Sequence, residues 1–298
     1  MKIAILGDGQ LGSELFETIS KKYFVSIYAY PEFNICNNIQ LCDIVKIHDI
    51  IINCAANINV DKIENEQKDD SFNVNYLAVK NLAIYCKHFN KKLIHISTDY
   101  IYGELYNDKL YEELIGNPIN QYGYDKYEGE KSIVSEGLND YLILRVSGVF
   151  GKNGAKRRVN FVEKIKYALQ NNIEIRVVDD QIGNITSTKL IIKTIEKFIE
   201  DKLPCGIYNL TNDGPIVSRY DIACFIKERI NSKCNIIRCK TDEFKSVAKR
   251  QLNSNLCIDK IKKYIDVELL NDAIKEYLDD TKYGSDIYDV QEGYIHLN

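Results

Sequence analysis

A chain of 298 residues with 45% hydrophobic and 28% charged content can bury a core without disulfide or metal staples. Its formal net charge of -4 argues against a nucleic-acid binder, and it has no apolar run of the roughly 18 residues a transmembrane helix needs. The first residues, MKIAILGDG, lack the apolar length and cleavage site of a signal peptide, so a cytoplasmic location is expected.

In chain order, Lys2–Leu6 reads as a buried strand. Residues 11–21 follow as a helix with Leu11, Leu15, Phe16 and Ile19 on one face. FVSIY at 24–28 alternates as a strand, and Asp49–Ala55 is another apolar strand. Residues 71–89 place Phe72, Val74, Leu77, Val79, Leu82 and Phe89 at helical spacing, and Lys92–Ser97 and Tyr141–Val146 are strands. This alternation predicts an α/β fold with a doubly wound parallel sheet of Rossmann type. After Phe150 comes a polar, basic loop, GKNGAKRRVN, then a helix at 161–170, a strand at Glu174–Val178 and a helix at 188–200. Residues 207–210, 218–231 and 236–239 read as strand, helix, strand, and 281–298 as a surface tail or an arm packed on a neighbour.

The nine cysteines form no C-x-x-C pair and most sit in apolar surroundings, as reduced core cysteines do. The four histidines lack metal-ligand spacing, so no metal is expected.

Gly7-Asp8-Gly9-Gln10-Leu11-Gly12 is a G-x-G-x-x-G between a strand and a helix. Glycines permit the tight turn and let backbone approach a diphosphate, which the helix N-terminus attracts. The second strand ends in Tyr28-Ala29-Tyr30, with no acid to hold a ribose 2′-hydroxyl and no Arg to hold a 2′-phosphate; Glu32 lies slightly beyond. That favours NADPH weakly, with NADH as a substitute.

Tyr122 and Lys126 form a Y-x-x-x-K and share one helical face. An ammonium beside a phenol favours the phenolate, so the pair suits general acid chemistry on a carbonyl. Alone, the pattern is more often a solvated helix face. Ser97-Thr98-Asp99-Tyr100 follows a strand and so falls at the carboxyl edge of the sheet, where doubly wound folds place their sites. Thr98 there offers a hydroxyl to a substrate oxygen; the alternative for S-T-D is a turn or cap.

The glycine turn, STDYIYG (97–103), NPINQYGYDKYEGEK (117–131), LRVSGVFG (144–151), VVDDQIGNITS (177–187) and RQLNSNL (250–256) resemble the dTDP-4-dehydrorhamnose reductase family of extended short-chain dehydrogenases/reductases. The matches span nearly the whole chain in the family's order. The resemblance implies reduction of the C4 ketone of a nucleotide-linked 4-keto-6-deoxy hexose by NAD(P)H. Catalysis would fall to Thr98, Asp99, Tyr122 and Lys126. The cofactor would meet Gly7, Gly9, Gln10, Leu11, Gly12, Asn34, Ile35, Ala55, Ala56 and Asn75, as well as Tyr122 and Lys126. Substrate contacts are expected at Thr98, Asp99, Arg157, Arg158 and Asn160, the arginines holding the substrate diphosphate; the alternative for that basic run is a solvated loop.

The implied organisation is a dinucleotide-binding domain at 1–150, to which 182–204 return, and a smaller, discontinuous C-terminal substrate-binding region at 151–181 and 205–298. A homodimer is compatible with the resemblance; Glu14 matches one position of a reported interface metal site, the other positions are not placed, and no metal is expected. The sequence departs from the family at Gly148, where many members carry a Trp that shapes the sugar pocket, and at Ile185 and Gln251, where Pro is usual. Two alternatives stay open: a bifunctional UDP-sugar epimerase/reductase, and a non-catalytic NADP-binding regulatory subunit of methionine adenosyltransferase type.

Overall fold

β1 (Lys2–Leu6) shows how the sheet is built: Ile3 and Ile5 turn to one apolar core, Ala4 and Leu6 to another on the opposite face, and all four are fully buried. Strands covered on both faces read as continuous apolar runs, the mark of a parallel sheet between helical layers. In the computed structural model, which describes residues 1–104, 108–152 and 159–280, the strands are β1, β2 (Phe24–Tyr28), β3 (Ile50–Asn53), β4 (Lys92–Thr98), β5 (Tyr141–Val146), β6 (Ile175–Val178), β7 (Gly206–Leu210) and β8 (Ile236–Cys239). Six of them form one sheet in the order β2-β1-β3-β4-β5-β7, every pairing parallel. The expected Rossmann-type fold is therefore present.

Helices α1 (Gln10–Ile19) and α8 (Thr188–Ile199) cover one face of this sheet. α2 (Asn38–Ile47), α5 (Ala78–His88) and α6 (Gln121–Ser135) cover the other. A smaller unit pairs β6 with β8 and packs α7 (Phe161–Gln170), α9 (Arg219–Arg229) and α10 (Leu270–Asp279) around a separate core. Residues 206–210, expected in the substrate region, instead pair with β5, so the segment that returns to the main sheet extends through Leu210.

The expected helix at 71–89 is interrupted. Short helices α3 (Val60–Asn65) and α4 (Lys68–Ser71) precede a π-helical turn at Phe72–Leu77, and only then does α5 begin. The wider turn leaves Phe72 and Leu77 exposed despite their apolar spacing, and buries Asn75, whose Nδ2 donates to the Asn57 carbonyl (2.8 Å) and Ser71 Oγ (3.0 Å). Gly129 of α6 rests on this turn, where a Cβ would lie 2.6 Å from the Asn75 carbonyl oxygen. All nine cysteines are unpaired; Cys86, Cys239 and Cys257 are buried, whereas Cys36 and Cys205 are exposed rather than in the core. Among the described residues no helix is long and apolar enough to cross a membrane.

Candidate active site

The site begins at the carboxyl ends of β1, β3 and β4. Gly7 has φ +96°, and a Cβ there would lie 2.9 Å from the Ala55 nitrogen just beyond β3. A Cβ on Gly12 would strike the Gly7 carbonyl oxygen at 1.9 Å. Any side chain at either position would close the turn. Gly9 differs, since a Cβ there would meet nothing within 4 Å, and as N-cap of α1 it offers no side-chain acceptor to the helix amides. An open approach to an uncapped helix start fits a dinucleotide diphosphate. Ala55 and Ala56 flank this turn, half-buried, and Asn75 Oδ1 accepts from the Asn57 amide (3.0 Å), fixing the segment after β3. Asn34 is exposed and Ile35 buried in the loop after β2.

β4 delivers Thr98 at its last position. Thr98 Oγ1 caps the following turn by accepting from the Tyr100 amide (3.2 Å) and donates to Asp99 Oδ1 (3.1 Å). Asp99 is buried and its Oδ2 accepts from Gln251 Nε2 (2.9 Å). α6 starts at Asn120, whose Oδ1 accepts from the Gly123 amide (2.9 Å), so Tyr122 falls in the first turn and Lys126 one turn later. Gly123 lets α6 approach the β4 turn: a Cβ there would lie 2.5 Å from the Tyr100 carbonyl oxygen. Tyr122 is half-buried and packs edge-on against Tyr100 at 5.7 Å between ring centroids.

Lys126 is buried, and its Nζ donates to the Ile96 carbonyl (2.7 Å). Its other neighbour is His95 Nε2 at 3.1 Å, a contact that sequence reasoning missed. The Ala55 amide donates to Asn53 Oδ1 (3.1 Å), which turns Asn53 Nδ2 toward His95 Nδ1 (3.2 Å). His95 then carries its proton on Nε2, facing Lys126, and that tautomer suits an amine better than an ammonium. Burial, followed by Lys126, holds His95 well below the ordinary histidine range. Burial likewise brings Lys126 down to about 8, against opposing attraction from Glu130 and Cys54.

This has a sign that can be measured. Between pH 8 and 10.5 the unfolded chain keeps the Lys126 proton and the folded one has lost it, so the Lys126 contribution to stability rises with pH across that window, while the Cys54 and Cys86 thiols, pushed up by burial, oppose it above pH 9. The full rise is on the order of 3 kcal/mol. Lys126→Met is expected to abolish this rise and to be at least as stable as wild type at pH 7. Urea midpoints of the two proteins from pH 7 to 10.5 check it; parallel curves would contradict a buried, depressed Lys126.

Asn160, expected at the substrate, makes its hydrogen bonds within the chain. Its Oδ1 caps α7 by accepting from the Glu163 amide (3.0 Å), and its Nδ2 donates to Gln10 Oε1 and the Gly151 carbonyl, both at 3.3 Å. It ties α7 to the glycine turn. Arg157, Arg158 and the tail at 281–298 lie outside the described residues. Sequence reasoning also missed Glu130 and Arg145, a buried ion pair (2.7 Å) behind Lys126, and Arg219, which lies beside Gly148.

Residues 1–283 match the family model described as RmlD substrate binding domain. A dTDP-4-dehydrorhamnose reductase of Aggregatibacter actinomycetemcomitans is 30% identical, over 87% of this chain and 91% of its own length. The spore coat polysaccharide biosynthesis protein SpsK of Bacillus subtilis is 29% identical, over 96% and 99%. Among solved structures, dTDP-4-dehydrorhamnose reductase from Bacillus anthracis in complex with NADP superimposes with a TM-score of 0.86 at 30% identity, covering 93% of this chain and 98% of that one. With the glycine turn, the β4 turn and the α6 pair assembled at one sheet edge, the chain belongs to the RmlD substrate binding domain family.

Proposed function

We propose that the chain reduces the C4 ketone of a dTDP-linked 4-keto-6-deoxy hexose, with NADPH as reductant and NADH as a substitute. The observation that carries this reading is Lys126 buried against the end of β4, one helical turn from Tyr122 and beside the Thr98 turn. The relatives' printed activity and the NADP complex of the Bacillus anthracis protein support it. The glycine turn from Gly7 to Gly12 would hold the cofactor diphosphate, Asn34 and Ile35 the adenine side, and Ala55, Ala56 and Asn75 the segment beneath the nicotinamide half. When bound, the cofactor supplies the hydride.

The chain's own residues manage the proton and the oxygen. The Tyr122 hydroxyl gives its proton to the oxygen that gains negative charge at C4. Thr98 Oγ1 hydrogen-bonds the same oxygen, and Asp99, gripped by Gln251, keeps the hydroxyl oriented. Lys126 is still mostly protonated at pH 7, so its charge lowers the cost of leaving Tyr122 as phenolate. The small unit of β6, β8, α7, α9 and α10 closes over this edge as the substrate-binding region. Neutralising the Lys126 charge above pH 8 would weaken the acid, so activity is expected to fall on the alkaline side.

The test follows NADPH absorbance with 4-keto-6-deoxy hexoses linked to dTDP, UDP, GDP and CDP. Oxidation with the dTDP sugar first in kcat/KM is expected. No oxidation with any of the four would reject the reading.

A further inference from the structure

Of the three departures from the family pattern named above, Gly148 and Ile185 meet beside Arg219, and Gln251 is joined to the neighbouring Asp99. Gly148 has φ +50°, and a Cβ built on it would lie 2.5 Å from Ile185 Cγ2. The same Cβ would lie 3.1 and 3.2 Å from Nη1 and Nη2 of Arg219. The guanidinium thus takes the space beside Gly148 that a large side chain would need. Arg219 opens α9 behind its Ser218 cap, and Phe161 lies 5.7 Å below the guanidinium. Asp99 and Tyr100 are close enough for their charges to act on it, while burial opposes its own charge.

Three polar atoms here are buried without a hydrogen-bond partner: Arg219 Nη1, Ser147 Oγ and Gln251 Oε1. The orientation of Gln251 is fixed, because its Nε2 donates to the Asp99 carboxylate, which only accepts. Ser147 precedes Gly148, Arg219 Nη1 lies beside it, and Gln251 holds Asp99, so the surroundings of Gly148 and Asp99 offer a donor, an acceptor and a hydroxyl that can be either. A buried polar atom left unpaired is costly. A phosphate oxygen would satisfy only the donors. A sugar hydroxyl, which both donates and accepts, matches the whole set. The place agrees, since Asp99 and Tyr100 adjoin Thr98 at the reacting end of the site.

We propose that Arg219 is a specificity-determining residue that hydrogen-bonds a hydroxyl of the substrate's sugar from the niche beside Gly148, with Ser147 and Gln251 completing the contact. This rests on the nucleotide-sugar reading above. Arg219→Met is expected to raise KM for the dTDP-keto sugar about tenfold or more. Arg219→Lys should recover part of that loss, because it keeps a donor but not the planar fork. NADPH affinity should be unchanged in both, which also reports that they fold.

Calorimetric binding of dTDP and of dTDP-rhamnose, which needs no turnover, separates the two readings. Weaker binding of dTDP-rhamnose with unchanged binding of dTDP supports the assignment. Equal weakening of both ligands, which would place Arg219 on the diphosphate, overturns it. So does no weakening of either, or a wild type that binds dTDP-rhamnose no better than dTDP. A wild type that binds dTDP-rhamnose but oxidises no NADPH rejects the reductase reading and leaves the Arg219 assignment standing on the binding data.

Discussion

Tyr122→Phe is expected to lower kcat by about 10²–10⁴-fold, the usual contribution of a positioned general acid. The substitution removes one oxygen and keeps the ring, so the edge-on contact with Tyr100 and the first turn of α6 should persist. KM for the sugar and affinity for NADP should therefore change little. A loss confined to kcat marks an interaction made in the transition state. Stopped-flow single turnover, with NADPH and sugar both saturating, is the measurement. Turnover within a few-fold of wild type would remove Tyr122 from the proton transfer. A wild type with no turnover and a variant with unchanged NADP binding would point to a binding protein.

Glu130→Ala is expected to destabilise the fold by about 3–5 kcal/mol, because it strands a buried guanidinium. Arg145 and Glu130 are both nearly inaccessible, and Arg145 Nε donates to Glu130 Oε1 (3.1 Å) and Oε2 (3.0 Å), with Nη2 donating to Oε2 (2.7 Å). Ser97 Oγ donates to the same carboxylate. On its other side Arg145 Nη1 donates to Tyr102 Oη (2.8 Å), which donates onward to Asn209 Oδ1 (2.8 Å). Burial opposes the charge on Arg145, but Glu130 and Tyr102 outweigh it and hold its pKa above the ordinary range. The network joins α6, β4, β5 and β7, and so fixes the helix that carries Tyr122 and Lys126. Urea unfolding checks the cost. The double variant Glu130→Leu with Arg145→Met should cost less than Glu130→Ala alone, since it leaves no unpaired charge. A single-variant cost under about 1 kcal/mol would contradict the role given to the pair.

Much of the main sheet is legible in the sequence. β1 and β5 lie where their apolar runs predict, because strands buried on both faces leave a continuous signal, and the edge strand β2 lies where its alternation predicts. α7 does too, with its Asn160 cap. α2 is harder to read, because Ile39 and Ile47 are exposed and blur the stripe formed by Leu41, Ile44 and Val45. α10 is absent from the expected elements, although Leu270, Ala273, Ile274 and Tyr277 form a buried stripe at helical spacing. The π turn at Phe72–Leu77 is not, since it depends on Asn75 bonding outside its own helix.

The candidate site divides the same way. Gly7–Gly12, Thr98, Tyr122 and Lys126 belong to local patterns and can be read as such. His95 reaches Lys126 across 31 positions, and Gln251 reaches Asp99 across 152. Arg219 meets Gly148 only after α9 folds over the sheet edge. No spacing rule carries such contacts; they follow from the strand order and from how the smaller unit packs.

The central claim is that hydride reaches C4 of a dTDP-linked keto sugar at this sheet edge while Tyr122 supplies the proton. The most direct measurement uses NADPH deuterated at the transferable nicotinamide C4 position, with the product sugar read by proton NMR. Deuterium at C4 of the hexose in wild type, accumulating about 10²–10⁴-fold more slowly in Tyr122→Phe, is the predicted result. Deuterium at another carbon, or an unlabelled sugar recovered from a wild type that binds both NADPH and the dTDP sugar, would contradict the account.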